Sequence, residues 1–545
     1  MYDNSFFTQV LKSIIKLGIY LCCFIGFITL SEVYAQDNLT AYGKLALKES
    51  AIPVRPGIPG EKPFWNGSSH QFIYAPAFDY QPIINAAKYE YKALSLADSG
   101  IYKFESKVPY SPLSKIWTSL PVGFFDLTVT GISSSGKILG IAGQGHYYRA
   151  SPFNGSYYQP VIPYGKSARI ALDSLFKQPY VNYWMDHKIP DPSYINYRFP
   201  AKMLSALIIG AVTYARLKPN TPDAKRAAEL AKIIADFLLS VSFKQGSAWE
   251  YFPPTYYGER IGKDPKSHMQ LTNNFTIMGV DAGNAYLDLY DFNGDKKYLE
   301  AAKRIAATYL KMQLNNGSWY QFVNYETGKP IAENITIPTA VINYCDRLRK
   351  DYKVEGLEKA TSLALNWIME NPVKTFNWQG QFEDVYARPP YKNLSREQAC
   401  NMAVYLFKNK KDFKLADELL RFAEDQFIIW EKPVPKTVGK SNKPGYNSTN
   451  WITPVVLEQY VYWMPVGRSA GVMVDTYWQA YAATKKEIYL AKAKAIANTF
   501  TLVQKEFNGN YPSYFTKYPM DHWLNSTVYP AKVLMDLENN LKKNN

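Results

Sequence analysis

Past Tyr180 the apolar positions recur at helical spacing. Ala227, Leu230, Ile234, Phe237 and Val241 share one face, and the design returns in Tyr298, Ala302, Ile305, Tyr309 and Met312; this is the signature of amphipathic helices. It returns again over Leu357–Met369, Phe413–Phe427 and Ile488–Val503. More uniformly apolar stretches (Ala201–Tyr214, Met278–Tyr290 and Ala470–Tyr481) precede several of these units, as expected of helices buried on all sides. Thr221-Pro222 supplies an N-cap followed by proline at the first helical position. Gly246…Trp249, Gly317…Trp319, Gly380…Phe382 and Gly509…Tyr511 punctuate the units, a period of roughly 55–75 residues, or one helical hairpin per repeat.

Apolar inner helices with amphipathic outer ones predict an α/α toroid of five to six hairpins, incomplete or complete, over residues 180–545. "MDHKIPDPSYINYRFPAKML" from Met185 and "MDHWLNSTVYPAKVL" from Met520 open the first and last inner helices with the same words, as the meeting ends of a ring would. An open solenoid is the alternative. From 36 to 170 the texture is β. Gln71–Tyr74, Tyr89–Ala93 and the stretch holding Val122, Phe124, Leu127 and Val129 are short runs broken by Pro, Gly, Ser and Asp, which predict a β-sandwich of fibronectin III size. The fold class is therefore mainly α with an N-terminal β domain.

Residues 1–35 read as a signal peptide. An apolar run from Leu17 to Leu30 follows Lys12 and Lys16 and ends in Val33-Tyr34-Ala35, too short to span a membrane. The mature chain is then secreted or periplasmic, with no stable membrane insertion after signal cleavage. Only Cys345 and Cys400 remain, in no metal-ligand spacing; no metal and no cofactor are expected. Composition sharpens the picture: 44 Tyr, 28 Phe and 12 Trp favour sugar-stacking clefts, and the net charge of +15 favours an anionic polysaccharide partner. Nucleic acid is excluded as a partner, since the lysines are dispersed and no recognition motif appears.

In a toroid, the loops before the inner helices line one mouth. "WEYFPPTYYGERIGKDPKSHMQLTNN" is the densest of them. β-Elimination of a uronic acid needs a carboxylate neutraliser, a base for the C5 proton and an acid for the leaving oxygen. Tyr251, Tyr256, Tyr257, His268, Asn273 and Asn274 supply those types in this loop, with Arg260 to hold the anion. Arg198, Tyr256, Trp319, Trp378, Tyr386, Arg388 and His522, from this and neighbouring loops, are candidates for substrate binding. Glu383 and Asp384 are adjacent, so neither supplies the facing carboxylate a hydrolase needs; Asp186, Glu250 or Asp521 would have to provide it for Glu383. Asp291-Phe292-Asn293-Gly294-Asp295 lacks the closing Glu of a calcium loop and reads as a hairpin turn.

"KIWTSLPVGFFDLTVTG", "NWQGQFEDV", "KAKAIANTF" and "WLNSTVYPAKVL" together resemble secreted proteins of bacterial polysaccharide-utilisation systems, in which a small β-sandwich precedes an α/α toroid. Within that group the chain is most similar to the glycosaminoglycan lyases of polysaccharide lyase family 29. The resemblance implies an exported lyase cleaving uronic-acid polysaccharides, with His268, Asn274 and Tyr257 matching the class's catalytic trio by type and placement. A glycoside hydrolase or uronyl C5-epimerase of the same fold, or a non-catalytic glycan-capture protein, stands as the alternative.

Overall fold

The computed structural model describes residues 40–58, 64–65, 67–258, 269–383, 393–434, 444–518 and 520–544 of the chain. The signal-like segment lies outside them. After a short helix, α1 (Ala41–Ser50), come the strands β1 (Gln71–Phe72), β2 (Lys88–Ser95) and β3 (Ile101–Ser106), the short helix α2 (Ser114–Trp117), and the long strands β4 (Gly123–Ile132) and β5 (Ile138–Arg149). They form one sheet in the order β1-β5-β4-β2-β3, with β1 parallel to β5 and the other pairs antiparallel.

The N-terminal part is β as expected, but the strands described form a single sheet where a sandwich has two. The reason lies in what covers the apolar face. Tyr89, Tyr91 and Ala93 of β2 and Phe125, Leu127 and Val129 of β4 point to one side, and Leu113, Ile116, Trp117 and Leu120 pack there in place of a second sheet.

The rest is helical. In chain order the helices are α3 (Tyr164–Leu175), α4 (Pro179–His187), α5 (Pro200–Leu217), α6 (Pro222–Val241), α7 (Met278–Asn293), α8 (Lys296–Met312), α9 (Thr339–Tyr352), α10 (Glu358–Ile368), α11 (Arg396–Lys408), α12 (Phe413–Phe427), α13 (Gly467–Thr484), α14 (Glu487–Glu506) and α15 (Asn525–Asn544). Helices α5, α7, α9, α11, α13 and α15 pack each on the next, and α15 returns to α5. Each has an outer partner: α6, α8, α10, α12 and α14 in turn, and α3 for α15. The ring is therefore closed with six hairpins, the sixth assembled from the two ends of the helical region. Thr221 caps α6 through its hydroxyl, which accepts the Ala224 N–H at 3.1 Å, and Asp295 caps α8 just after Gly294, whose φ of +73° ends α7. Asp291–Asp295 is thus the expected hairpin turn.

The sheet docks on the ring through α12. Asp425, at 1% exposure, accepts the Ile73 and Tyr74 backbone N–H groups at 2.7 Å each, and Arg55 grips Glu418 with two hydrogen bonds of 2.8 Å. Burial pushes the Asp425 carboxyl from 3.8 up to about 7, against the hydrogen bonds that favour its charged form. The folded state then holds a proton that the unfolded chain has already released between those values, so this group makes stability fall as pH rises from about 4 to about 7. Denaturant titrations should show Asp425→Asn flattening that slope. Asp425→Ala, which orphans two buried N–H groups, should cost about 2–4 kcal/mol.

Candidate functional site

All six inner helices aim their first two turns at one cavity of about 80 Å³ in the ring's centre. Lys202 comes from α5, Asp281 from α7, Ala340 from α9, Arg396 and Glu397 from α11, Arg468 from α13, and Asn525 and Tyr529 from α15. Two connecting segments close the rim with Glu383 and Glu458. They are tied to one another by backbone: Ser395 bridges Gln459, and the Tyr460 N–H donates to Leu394 O at 2.9 Å. The Tyr256 hydroxyl donates to the backbone oxygen of Glu383 and fixes that residue in the wall.

Charge is distributed unevenly. Lys202 donates to Glu383 at 2.5 Å, and although burial alone would lower the ammonium's pKa, that pairing raises it. Arg468 takes both oxygens of Glu397, at 2.9 and 3.0 Å, while Arg396 Nη1 stands 3.7 Å away. Burial would raise the Glu397 carboxyl, but the two guanidinium groups hold it at about 2, so it is a fixed anion that carries no proton near neutrality. Asp281 is the opposite case. It accepts no hydrogen bond from a described residue, and burial pushes it up to about 6 despite the field of Arg468. A carboxyl with that pKa, open to a cavity, is poised to give and take a proton. Glu397, Asn401, Arg468 and Tyr529 also line a second cavity of about 560 Å³ toward the other end of the ring. The Arg468–Glu397 pair is thus the partition between the two.

The residues expected from sequence are distributed differently. Arg260, His268, Asp384, Tyr386 and Arg388 lie outside the described residues. Asn274, in the short strand β6 (Asn273–Phe275), is fully buried and accepts from the Thr255 hydroxyl at 2.8 Å; it does not reach the cavity. Tyr257 packs edge-on against Phe237 of the outer helix α6, away from the cavity. Arg198 is half-buried, with its guanidinium 4.7 Å over the Phe199 ring. Trp319 and Trp378, expected to stack on substrate, are 2% and 0% exposed in the core, and the Trp319 indole donates to Tyr309 O. No face is left open for a sugar. Tyr256 is likewise buried and, among the described residues, bears on the site through Glu383.

His522 lines a separate pocket of about 210 Å³, not the central cavity. Its Nδ1 meets the Tyr180 hydroxyl at 3.1 Å, and its Nε2 meets Asn510 and Thr527 at 2.9 Å each. Burial lowers its pKa to about 4, so it is neutral at physiological pH and spent on structure. Of the partners considered for Glu383, Asp186 and Asp521 are exposed, and Glu250 is engaged by the Gly246 N–H and Lys311. Glu383 instead shares the cavity with Asp281, Glu397 and Glu458. The signal for these was present: each of Asp281, Arg396, Glu397 and Arg468 is a charge in the first turn of a helix whose other residues are largely buried.

Three carbohydrate-active enzymes are among the solved structures that bear a distant likeness to the chain. A family 76 glycoside hydrolase from a bovine Bacteroides thetaiotaomicron strain superposes with a TM-score of 0.45 at 12% identity, over 88% of this chain and 99% of the other. A cellobiose 2-epimerase from Spirochaeta thermophila gives 0.46 at 13% identity, over 69% of this chain and 98% of its own. An unsaturated glucuronyl hydrolase specific for heparin gives 0.41 at 13% identity, over 70% and 97%. No protein-family model matches the sequence, and no curated protein does. At these scores the likenesses assign the chain to no family.

Proposed function

We propose that the chain is a carbohydrate-active enzyme that cleaves a glycosidic bond in the central cavity, with Asp281 as general acid and Glu383 as the second carboxylate. The observation that carries this reading is Asp281: a carboxyl raised to about 6 by burial, with no hydrogen-bond partner described, in a cavity that holds further carboxylates. Glycoside hydrolysis divides its labour between a carboxyl that keeps its proton and one that does not. Lys202 donates a 2.5 Å hydrogen bond to Glu383, which orients that carboxylate to attack the anomeric carbon or to activate a water. The aromatic-rich, basic composition fits a glycan substrate, and the Leu17–Leu30 run fits export.

β-Elimination of a uronic-acid polysaccharide is the second reading, and one observation favours it. Tyr529 stands on the cavity wall with its hydroxyl held protonated by burial, as an acid for a leaving oxygen must be. The two reactions leave different products. Incubation with uronic-acid glycans, hyaluronan and chondroitin sulfate among them, should release reducing ends without the ultraviolet band of a 4,5-unsaturated uronate; the band would mark elimination.

A further inference from the structure

Arg396 is 1% exposed, lines the cavity, and spends one nitrogen on the Ser469 hydroxyl at 2.5 Å. Its Nε and Nη1 have no hydrogen-bond partner among the described residues. Glu397, its nearest counter-ion, gives both oxygens to Arg468, and Glu458 is itself engaged. Burial accordingly lowers the pKa of Arg396, which marks a positive charge that its surroundings undercompensate. Asn525, also 1% exposed and on the same wall, leaves both its amide nitrogen and oxygen unpaired, and Gln398 leaves its carbonyl so. Buried polar groups are normally satisfied; three unsatisfied side chains around one cavity are waiting for a ligand. Charged donors pair best with charged acceptors. The cavity is small, about 80 Å³, and the Arg468–Glu397 partition closes its far side.

On the reading of this cavity as the substrate site, we propose that it takes a single sugar residue bearing a carboxylate, with the acid group on Arg396 and the ring hydroxyls on Asn525 and Gln398. A glycan would then enter by its end, one acidic residue at a time.

Isothermal titration with D-glucuronate and D-glucose tests this. The protein should bind glucuronate and not glucose, and Arg396→Lys, which keeps the charge but not the guanidinium geometry, should weaken glucuronate about ten- to a hundredfold. Asp281→Asn should still bind glucuronate while losing turnover, so loss of binding and loss of catalysis are read separately. Equal affinity for the two sugars, binding of neither, or glucuronate binding unchanged in folded Arg396→Lys would each overturn the proposal. A preference for glucose 6-sulfate over glucuronate would overturn the carboxylate assignment.

Discussion

Replacing Asp281 by Asn should lower kcat by about 10²–10⁴-fold, the range expected when a positioned proton donor is removed, with KM nearly unchanged. Asn fills the same space but cannot deliver a proton to a departing oxygen. The wild-type rate should decline as pH rises through about 6, because the acid form of Asp281 is lost there. The residual rate of Asp281→Asn should lack that limb. Steady-state kinetics of both proteins across that range, with circular dichroism to confirm folding, make the comparison. An undiminished kcat would remove Asp281 from the chemistry.

The largest effect on stability should come from Lys492→Met. Lys492 of α14 and Glu424 of α12 are 3% and 2% exposed at their side chains and meet at 2.7 Å. Glu424 also accepts from the Tyr477 hydroxyl at 2.9 Å and the Trp430 indole at 3.1 Å, which ties α12, α13 and α14 together. Removing the ammonium leaves a buried carboxylate with neutral donors only, a loss of about 3–5 kcal/mol. Adding Glu424→Gln to the same chain should recover much of it, since the amide oxygen still accepts and no charge is left uncompensated. Chemical denaturation of the single and double variants measures both, and a double variant no more stable than the single would contradict this account of the pair.

The helical ring was legible because its signal is local. The amphipathic stripe of α12 predicts Phe413–Phe427, the bounds observed, and the shared words at Met185 and Met520 announce neighbours, which α5 and α15 are. The sixth hairpin was not, because α3 and α15 come from opposite ends of the helical region and no periodicity links them. Of the N-terminal sheet, β1, β2 and β4 were legible, but what covers its face is a matter of tertiary packing by Leu113–Leu120. The site was legible least. Loop composition drew attention to aromatic and histidine residues, whereas Trp319, Trp378 and Tyr256 turn inward to the core. The cavity is built instead from charges in the first turns of inner helices, each unremarked in its own segment. Their convergence depends on closure of the ring, which places six helix starts around one point.

On the proposed reading, this cavity breaks a glycosidic bond by acid–base chemistry between carboxyl groups. Following reducing ends and ultraviolet absorbance together during digestion of a uronic-acid polysaccharide tests it most directly. Digestion should give new reducing ends with flat absorbance, and Asp281→Asn should lose the reducing ends. Absorbance rising in step with the reducing ends, undiminished in Asp281→Asn, would contradict it and assign the cleavage to elimination.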